Sequence, residues 1–238
     1  MEKIALVTGS TSNIGKGIAE TLSREGFHVV ITSRHEEEAR KVSEGLPKKG
    51  SFFRLDFSKA EEIKALFAFI KERFGRLDVL VNNVAYNKNE SVLGCDLELW
   101  QYTMNTNITS YFICSKYAAE MMKEKGGGNI VNITIAGGRA VKNRLAYIVS
   151  KGAVIFLTMS MAVDLASYNI RVNAVALGPV GTAVSSPGVE RPYKNDRIPI
   201  GHIGSPEDVG ETVSFLVSEK AKHILGGVIP VDGGFNIS

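Results

Sequence analysis

A chain of 238 residues, 44% hydrophobic and 22% charged, is the size of one large α/β domain with a substantial core. Its net charge of +3 is spread along the chain and leaves no nucleic-acid footprint, while two cysteines and four scattered histidines give neither a disulfide framework nor a metal site. The first apolar run is too short for a signal core and no membrane span is visible, so a soluble cytoplasmic protein is expected.

In chain order, the periodicity predicts alternating strands and helices. Residues 4–8 are an apolar run leading into a glycine-containing turn and a helix that reaches about residue 25. Strands are expected over 28–32 and 51–55, each followed by a helix, over 36–46 and 59–74. A fourth strand over 77–81 ends in Asn82-Asn83. The helical stretch over 97–125 is long, with a break expected near Asn107 and Thr109 where β-branched residues gather. Strands over 129–133, 171–175 and 227–231 and helices over 147–168 and 206–218 complete the pattern. Apolar runs without polar alternation, separated by helices, mean a doubly wound parallel α/β sheet covered on both faces, in a single domain over 1–238. Such sheets bind ligands beyond the C-terminal ends of their strands. The polar or glycine-rich loops at 8–15, 82–85, 134–138 and 178–182 all fall at that edge.

The first loop reads Gly9-Ser10-Thr11-Ser12-Asn13-Ile14-Gly15. A tight turn feeding a helix N-terminus presents backbone N–H groups to a pyrophosphate. Gly15 lets the helix pack closely on the first strand, and Thr11 and Ser12 have hydroxyls to donate. The end of the second strand decides which dinucleotide is bound. Ser33-Arg34 stands where an acidic residue would accept from the adenosine ribose, and a guanidinium suits a 2′-phosphate. With Lys16 adding charge nearby, NADP(H) is favoured over NAD(H), although the acidic run Glu36–Glu38 offers to neutralise Arg34. Asp56 has two readings, as an acceptor from the adenine amine or as a cap of its own loop.

Tyr147 and Lys151 lie four positions apart, on one face of a predicted helix. An ammonium beside a phenol lowers the phenol's pKa from its usual value of about 10 and brings proton transfer toward neutral pH. Many helices carry this spacing without any chemistry.

The order of motifs is more specific. TGSTSNIG, NNVA, NITS, YIVSK, RVNAVALGPVGT and IPVDGG together resemble the short-chain dehydrogenase/reductase family over nearly the whole chain. The resemblance implies a Rossmann-like fold and hydride transfer between a nicotinamide dinucleotide and a carbonyl or secondary alcohol. It makes Tyr147 the general acid in reduction and the general base in oxidation. It gives Lys151 the nicotinamide ribose hydroxyls and the lowering of the Tyr147 pKa, and has Asn107 support a water and proton relay through Lys151. Gly9, Thr11, Ser12, Asn13, Ile14 and Gly15 fall on its cofactor loop, Asn82 on the adenosine ribose side, and Val180 and Thr182 beside the nicotinamide. Asn13 and Ala85 depart from glycines of the family pattern, and asparagine tolerates left-handed backbone better than most residues. The family's catalytic serine falls on Thr134 when counted back from Tyr147 and on Ile135 when counted forward from Asn107. Thr134, which has the hydroxyl, is the expected donor to the substrate oxygen.

The substrate mouth is expected from 86–95, 138–143 and 185–199, the last a short lid. Among family members the chain looks most like 3-oxoacyl-acyl-carrier-protein reductases. Against that, Tyr168-Asn169 stands where those enzymes carry a carrier-docking arginine, with Lys125 at the companion position. A sugar or polyol dehydrogenase and a small-ketone reductase stay open, so the expected partner is a small carbonyl or alcohol or an acyl thioester. Neither nucleic acid, membrane nor metal is expected. The family pairs through its two long helices, which implies a homodimer or homotetramer, with Met159, Met161, Val163 and Leu165 offering apolar surface. A competing reading is a dinucleotide-binding regulator whose catalysis Ile135 impairs.

Overall fold

The computed structural model describes residues 2–136, 140–181 and 197–238; Thr182, and residues 138–139 and 185–196 of the expected mouth, lie outside the described residues. Strands β1 (Ile4–Val7), β2 (His28–Ser33), β3 (Ser51–Arg54), β4 (Val79–Asn82), β5 (Gly128–Ile135), β6 (Ile170–Leu177) and β7 (Val228–Val231) form one sheet. They pair in parallel throughout, in the order β3-β2-β1-β4-β5-β6-β7. The helices are α1 (Asn13–Arg24), α2 (Glu36–Gly45), α3 (Ala60–Phe74), α4 (Leu97–Met104), α5 (Ser110–Glu124), α6 (Leu145–Leu165) and α7 (Pro206–Val217).

The uninterrupted apolar runs have the physical meaning expected of them. All four residues of β1 are buried, because both faces of the strand are covered. Ile4 and Leu6 join a core with residues of α3 and α5, whereas Ala5 and Val7 join a second core with residues of α1 and α7. Two layers of helix therefore sandwich the sheet, and the chain order reverses direction between β1 and β4. That switch point leaves the crevice in which doubly wound sheets hold ligands.

Two local departures matter for the site. The fourth strand starts at Val79 rather than at residue 77, and just before it the Asp78 carboxylate meets the Ile4 N–H (2.8 Å), Arg76 (2.6 Å) and Lys125 (2.9 Å) at the opposite edge of the sheet. The break expected near Asn107 is a π-helical turn over Asn105–Thr109, joining α4 to α5. Such one-turn widenings often sit at functional sites.

Residues 145–168 are long and apolar enough, by length and composition alone, to cross a membrane, where no span was expected from the sequence. This helix packs on β5 and β6, and its outer side exposes Phe156, Met159 and Val163. Met161 and Leu165 pack instead against the core.

Candidate active site

The C-terminal ends of β1, β2 and β4 build a cradle of about 410 Å³ lined by Gly9, Thr11 to Gly15, Ser33, Arg34, Asp56 and Asn83 to Tyr86, among others. Gly9 turns the chain with φ +63°. Asn13 has φ +50°, so asparagine holds the left-handed position expected of it at the start of α1. A Cβ on Gly15 would meet the Gly9 carbonyl oxygen at 2.3 Å and Asn83 Nδ2 at 2.5 Å, so only glycine allows α1 to approach this closely. Thr32 braces the turn by accepting from the Gly9 N–H (3.0 Å). Thr11 donates weakly to Ser33 Oγ (3.4 Å).

At the β2 end of the cradle, exposed Arg34 donates to the Tyr102 hydroxyl at 3.2 Å, and the Tyr102 ring meets Tyr86 edge-on with centroids 4.8 Å apart. Glu36 pairs with Arg40 at 2.9 Å, whereas Glu38 lines the cradle beside Arg34. Lys16 pairs with Glu20 (3.6 Å) and is not among the cradle's lining residues. Asp56 caps its own loop, with Oδ1 accepting from the Ser58 N–H (2.9 Å), and the residue also lines the cradle.

Asn82 is a correction. Strand alternation turns it into the interior, 1% exposed, where Nδ2 donates to Ser115 Oγ (3.0 Å) and Asn132 Oδ1 (2.9 Å). Its neighbour Asn83 lines the cradle, donating to the Thr8 and Gly9 carbonyls at 2.9 and 3.0 Å. The doubled asparagine was visible in the sequence, but only the strand register says which one faces the cradle.

A second pocket of about 420 Å³ opens at the ends of β5 and β6. Tyr147, Lys151, Thr134, Ile135 and Val180 line it, and Ile14, Asn83 and Ala85 line both pockets, so the two are continuous. Lys151 is 2% exposed, and its Nζ donates to the Ile133 carbonyl (2.8 Å) and to the Tyr111 hydroxyl (3.0 Å). Burial pulls its pKa down to about 7, because a desolvated ammonium is disfavoured. Tyr111 went unnoticed in the sequence, where an aromatic residue inside an apolar helix reads as core.

Asn107 is fully buried in the π turn. Its Oδ1 accepts from the Tyr86 N–H (2.7 Å), and its Nδ2 donates to the Tyr86 carbonyl (2.9 Å) and to Ser150 Oγ (3.0 Å). Ser150 in turn donates to the Tyr147 carbonyl (2.8 Å). The side chain therefore clamps the wall of the site to α6. Thr134 is the second correction. Its hydroxyl donates to the Lys151 carbonyl at 2.6 Å and is buried, whereas the partly exposed Ile135 follows it on the strand. Thr134 ties β5 to α6, and its one proton is not turned to a substrate.

The glycine cradle, the helix N-terminus above it and the buried Thr106 hydroxyl oxygen, which lines the cradle without a hydrogen-bond partner, fit a dinucleotide with polar edges. Comparison with known proteins agrees. Residues 9–236 match the family described as enoyl-(acyl carrier protein) reductase. The chain is 34% identical to the 3-oxoacyl-[acyl-carrier-protein] reductase FabG of Haemophilus influenzae, over 99% of each sequence. It is 33% identical to a 3beta-hydroxysteroid dehydrogenase of Mediterraneibacter gnavus, covering 98% of this chain and 95% of that one. The crystal structure of the acetoin dehydrogenase YohF from Salmonella typhimurium superposes with a TM-score of 0.91 at 32% identity, covering 100% of this chain and 97% of that one. The protein is thus an oxidoreductase of CH–OH groups, of a class that binds a nicotinamide dinucleotide. Within that class, the chain belongs to the short-chain dehydrogenase/reductase family.

Proposed function

We propose that this protein interconverts a ketone and a secondary alcohol with NADP(H), and that the ketone is carried on an acyl chain such as a 3-oxoacyl thioester. The observation that carries the reading is the continuity of the two pockets through Ile14, Asn83 and Ala85, which joins the glycine cradle to Tyr147 and Lys151. The dinucleotide supplies or accepts the hydride. The chain's own residues do the rest. Tyr147 gives a proton to the substrate oxygen in reduction and removes it in oxidation. Lys151, as an ammonium, favours the phenolate that the transfer leaves behind and holds the nicotinamide ribose. Asn107 fixes the wall from which the proton relay runs. Val180 would hold the nicotinamide, and Gly9 with the residues Thr11 to Gly15 would hold the phosphates; Thr182, the other residue expected at the nicotinamide, lies outside the described residues.

Arg34 supports NADP(H), because a guanidinium meets a 2′-phosphate with paired donors. Its position at the cradle rim beside Tyr102 suits that role. The lining of the second pocket is mostly aliphatic, with Ile135, Val141, Ile148 and Ile203 around the reacting pair, which favours an alkyl or acyl ketone over a polyol. Docking of a protein carrier has less support. Lys125 is engaged with Asp78 at 2.9 Å, and Lys123 lies over the Tyr168 ring at 4.4 Å. The exposed apolar side chains on α5 and α6, Phe112, Phe156 and Val163, suit a second copy of the chain, so a homodimer or homotetramer working in the cytoplasm completes the reading.

One observation favours the second reading, a regulator that binds the dinucleotide without turnover. Both Thr134 and Ile135 line the pocket at the β5 terminus, but Ile135 has no hydroxyl and the Thr134 proton is given to the Lys151 carbonyl. Absorbance at the reduced-nicotinamide band decides between them, with NADPH and NADH offered beside 3-oxoacyl thioesters, diketones, steroids and polyols. Turnover that Tyr147→Phe abolishes with cofactor affinity retained supports the enzyme. Tight NADPH binding without turnover on any class supports the regulator.

A further inference from the structure

The phenol of Tyr111 is fully buried beneath the reacting pair, on α5 rather than on the helix that carries Tyr147 and Lys151. Its hydroxyl lies 3.0 Å from Lys151 Nζ, 3.1 Å from the Val84 carbonyl and 3.3 Å from the Ile133 carbonyl. A phenol has one proton to give. The Ile133 carbonyl already accepts from Lys151 Nζ at 2.8 Å, so Val84 is the better acceptor for the Tyr111 proton. The phenolic lone pair is then free to accept from the ammonium, which also stands 5.0 Å from the ring centroid. Phenylalanine would fill the same volume without bringing a polar atom into the core. A buried hydroxyl costs free energy unless its bonds are made, and here its bonds are to the amine and to the two strand ends that frame the pocket.

We propose that Tyr111 is a positioning residue for the reaction, holding Lys151 in place and in its ammonium form beside Tyr147. The inference rests on Tyr147 and Lys151 being the reacting pair. Desolvation drives Lys151 toward the neutral amine, and an acceptor hydrogen-bonded to the amine opposes that drive. Tyr111 itself stays neutral: burial raises it well above the ordinary phenol range, and the nearby Tyr147 and Cys114 raise it further. Among the described residues, those two and Lys151 are the titratable groups that bear on the hydroxyl, and the ends of β4 and β5 contribute the Val84 and Ile133 carbonyls. Two of the three ammonium protons go to Tyr111 and Ile133, which fixes the direction of the third.

Direct titration of Lys151 in the whole chain, without cofactor, tests the role. Lysine labelled with carbon-13 at Cε is followed by NMR over about pH 5 to 11, and the Lys151 signal is assigned by its loss in Lys151→Met. Removing the hydroxyl in Tyr111→Phe is expected to lower the Lys151 midpoint by about one pH unit. Tyr111→Met, with a flexible side chain that fills irregular space, is a second hydroxyl-free variant should the first fold poorly. Cys114→Ala, one turn along on the same helix, is expected to leave the midpoint in place although it loosens the same core. An unmoved midpoint in the folded Tyr111 variants overturns the proposal. Turnover separates this outcome from failure of the reading beneath it. An inactive Tyr147→Phe with an unmoved Lys151 midpoint removes only the role of Tyr111, whereas full activity in Tyr147→Phe removes the reacting pair and the Tyr111 role together.

Discussion

The Thr134 hydroxyl donates to the Lys151 carbonyl across 2.6 Å, so the side chain expected to orient a substrate instead joins β5 to α6. Its loss should therefore be felt in stability. Thr134→Val is expected to cost about 1 kcal/mol in denaturant unfolding and to leave kcat within about twofold. Ile135→Ser, which places a hydroxyl on the pocket side of the same strand end, is expected to raise kcat by about tenfold. Steady-state kinetics of the two variants check the pair. A folded Thr134→Val without turnover would return the substrate-orienting role to Thr134.

Arg34 and Tyr102 are 68 positions apart in sequence and meet at the rim of the glycine cradle. The tyrosine limits the guanidinium's rotamers before any cofactor arrives, and less ordering remains for a 2′-phosphate to impose. Fluorescence titration with both cofactors gives the measure. Arg34→Ala is expected to weaken NADPH by about 30-fold, the loss of a charge-assisted contact, and to leave NADH nearly unchanged. Tyr102→Phe is expected to weaken NADPH by only about threefold. Equal losses for both cofactors in Arg34→Ala would place the residue outside phosphate recognition.

Much of the architecture was legible in the sequence because parallel strands buried on both faces need unbroken apolar runs, and those runs fixed β1 and β2 to within a residue or so. Gly9, Asn13 and Gly15 were legible for a related reason, since their backbone angles or contacts tolerate few residue types. Strand register is different. Asn82 and Asn83 have the same chemistry, and only the pleat decides that one meets Ser115 while the other meets the glycine turn. Thr134 and Ile135 pose the same problem at the end of β5. Tyr111 was hidden more deeply, because its partner Lys151 lies 40 positions away on another helix and no local pattern links them.

Asp78 is buried at the edge of the sheet opposite the pockets, and its stability contribution has a definite pH dependence. Burial alone would raise its pKa, but the Arg76 guanidinium, the Ile4 N–H and Lys125 together outweigh burial and hold it below the usual carboxylate value. The unfolded chain therefore takes up this proton at a higher pH than the folded one. The contribution is present in full above about pH 5 and is lost as the pH falls through the lower folded value. Asp78→Asn leaves Arg76 and Lys125 without their common partner and is expected to cost about 3 kcal/mol at neutral pH. Urea unfolding of both proteins at several pH values should show the gap narrowing in acid. A constant gap would mean that Asp78 acts through packing alone.

Lys151 titrates the other way in charge but with the same sign in stability. Its folded value of about 7 lies below the 10.5 of a free lysine, because burial penalises the ammonium. Between those two values the unfolded chain holds a proton that the folded chain has released, so stability rises with pH across that window, by at most about 1.4 kcal/mol per pH unit. Activity runs against it. The proposed role of Lys151 needs the ammonium, so kcat for ketone reduction is expected to fall as the pH rises through about 7, rather than near 10.5. Lys151→Met is expected to remove the stability slope above neutral pH and to cost about a thousandfold in kcat. Urea midpoints and initial rates measured on the same samples across that window give both answers. A slope that survives in Lys151→Met would assign the titration to another group, and a rate that holds into strong alkali would mean that the amine keeps its proton when the cofactor is bound.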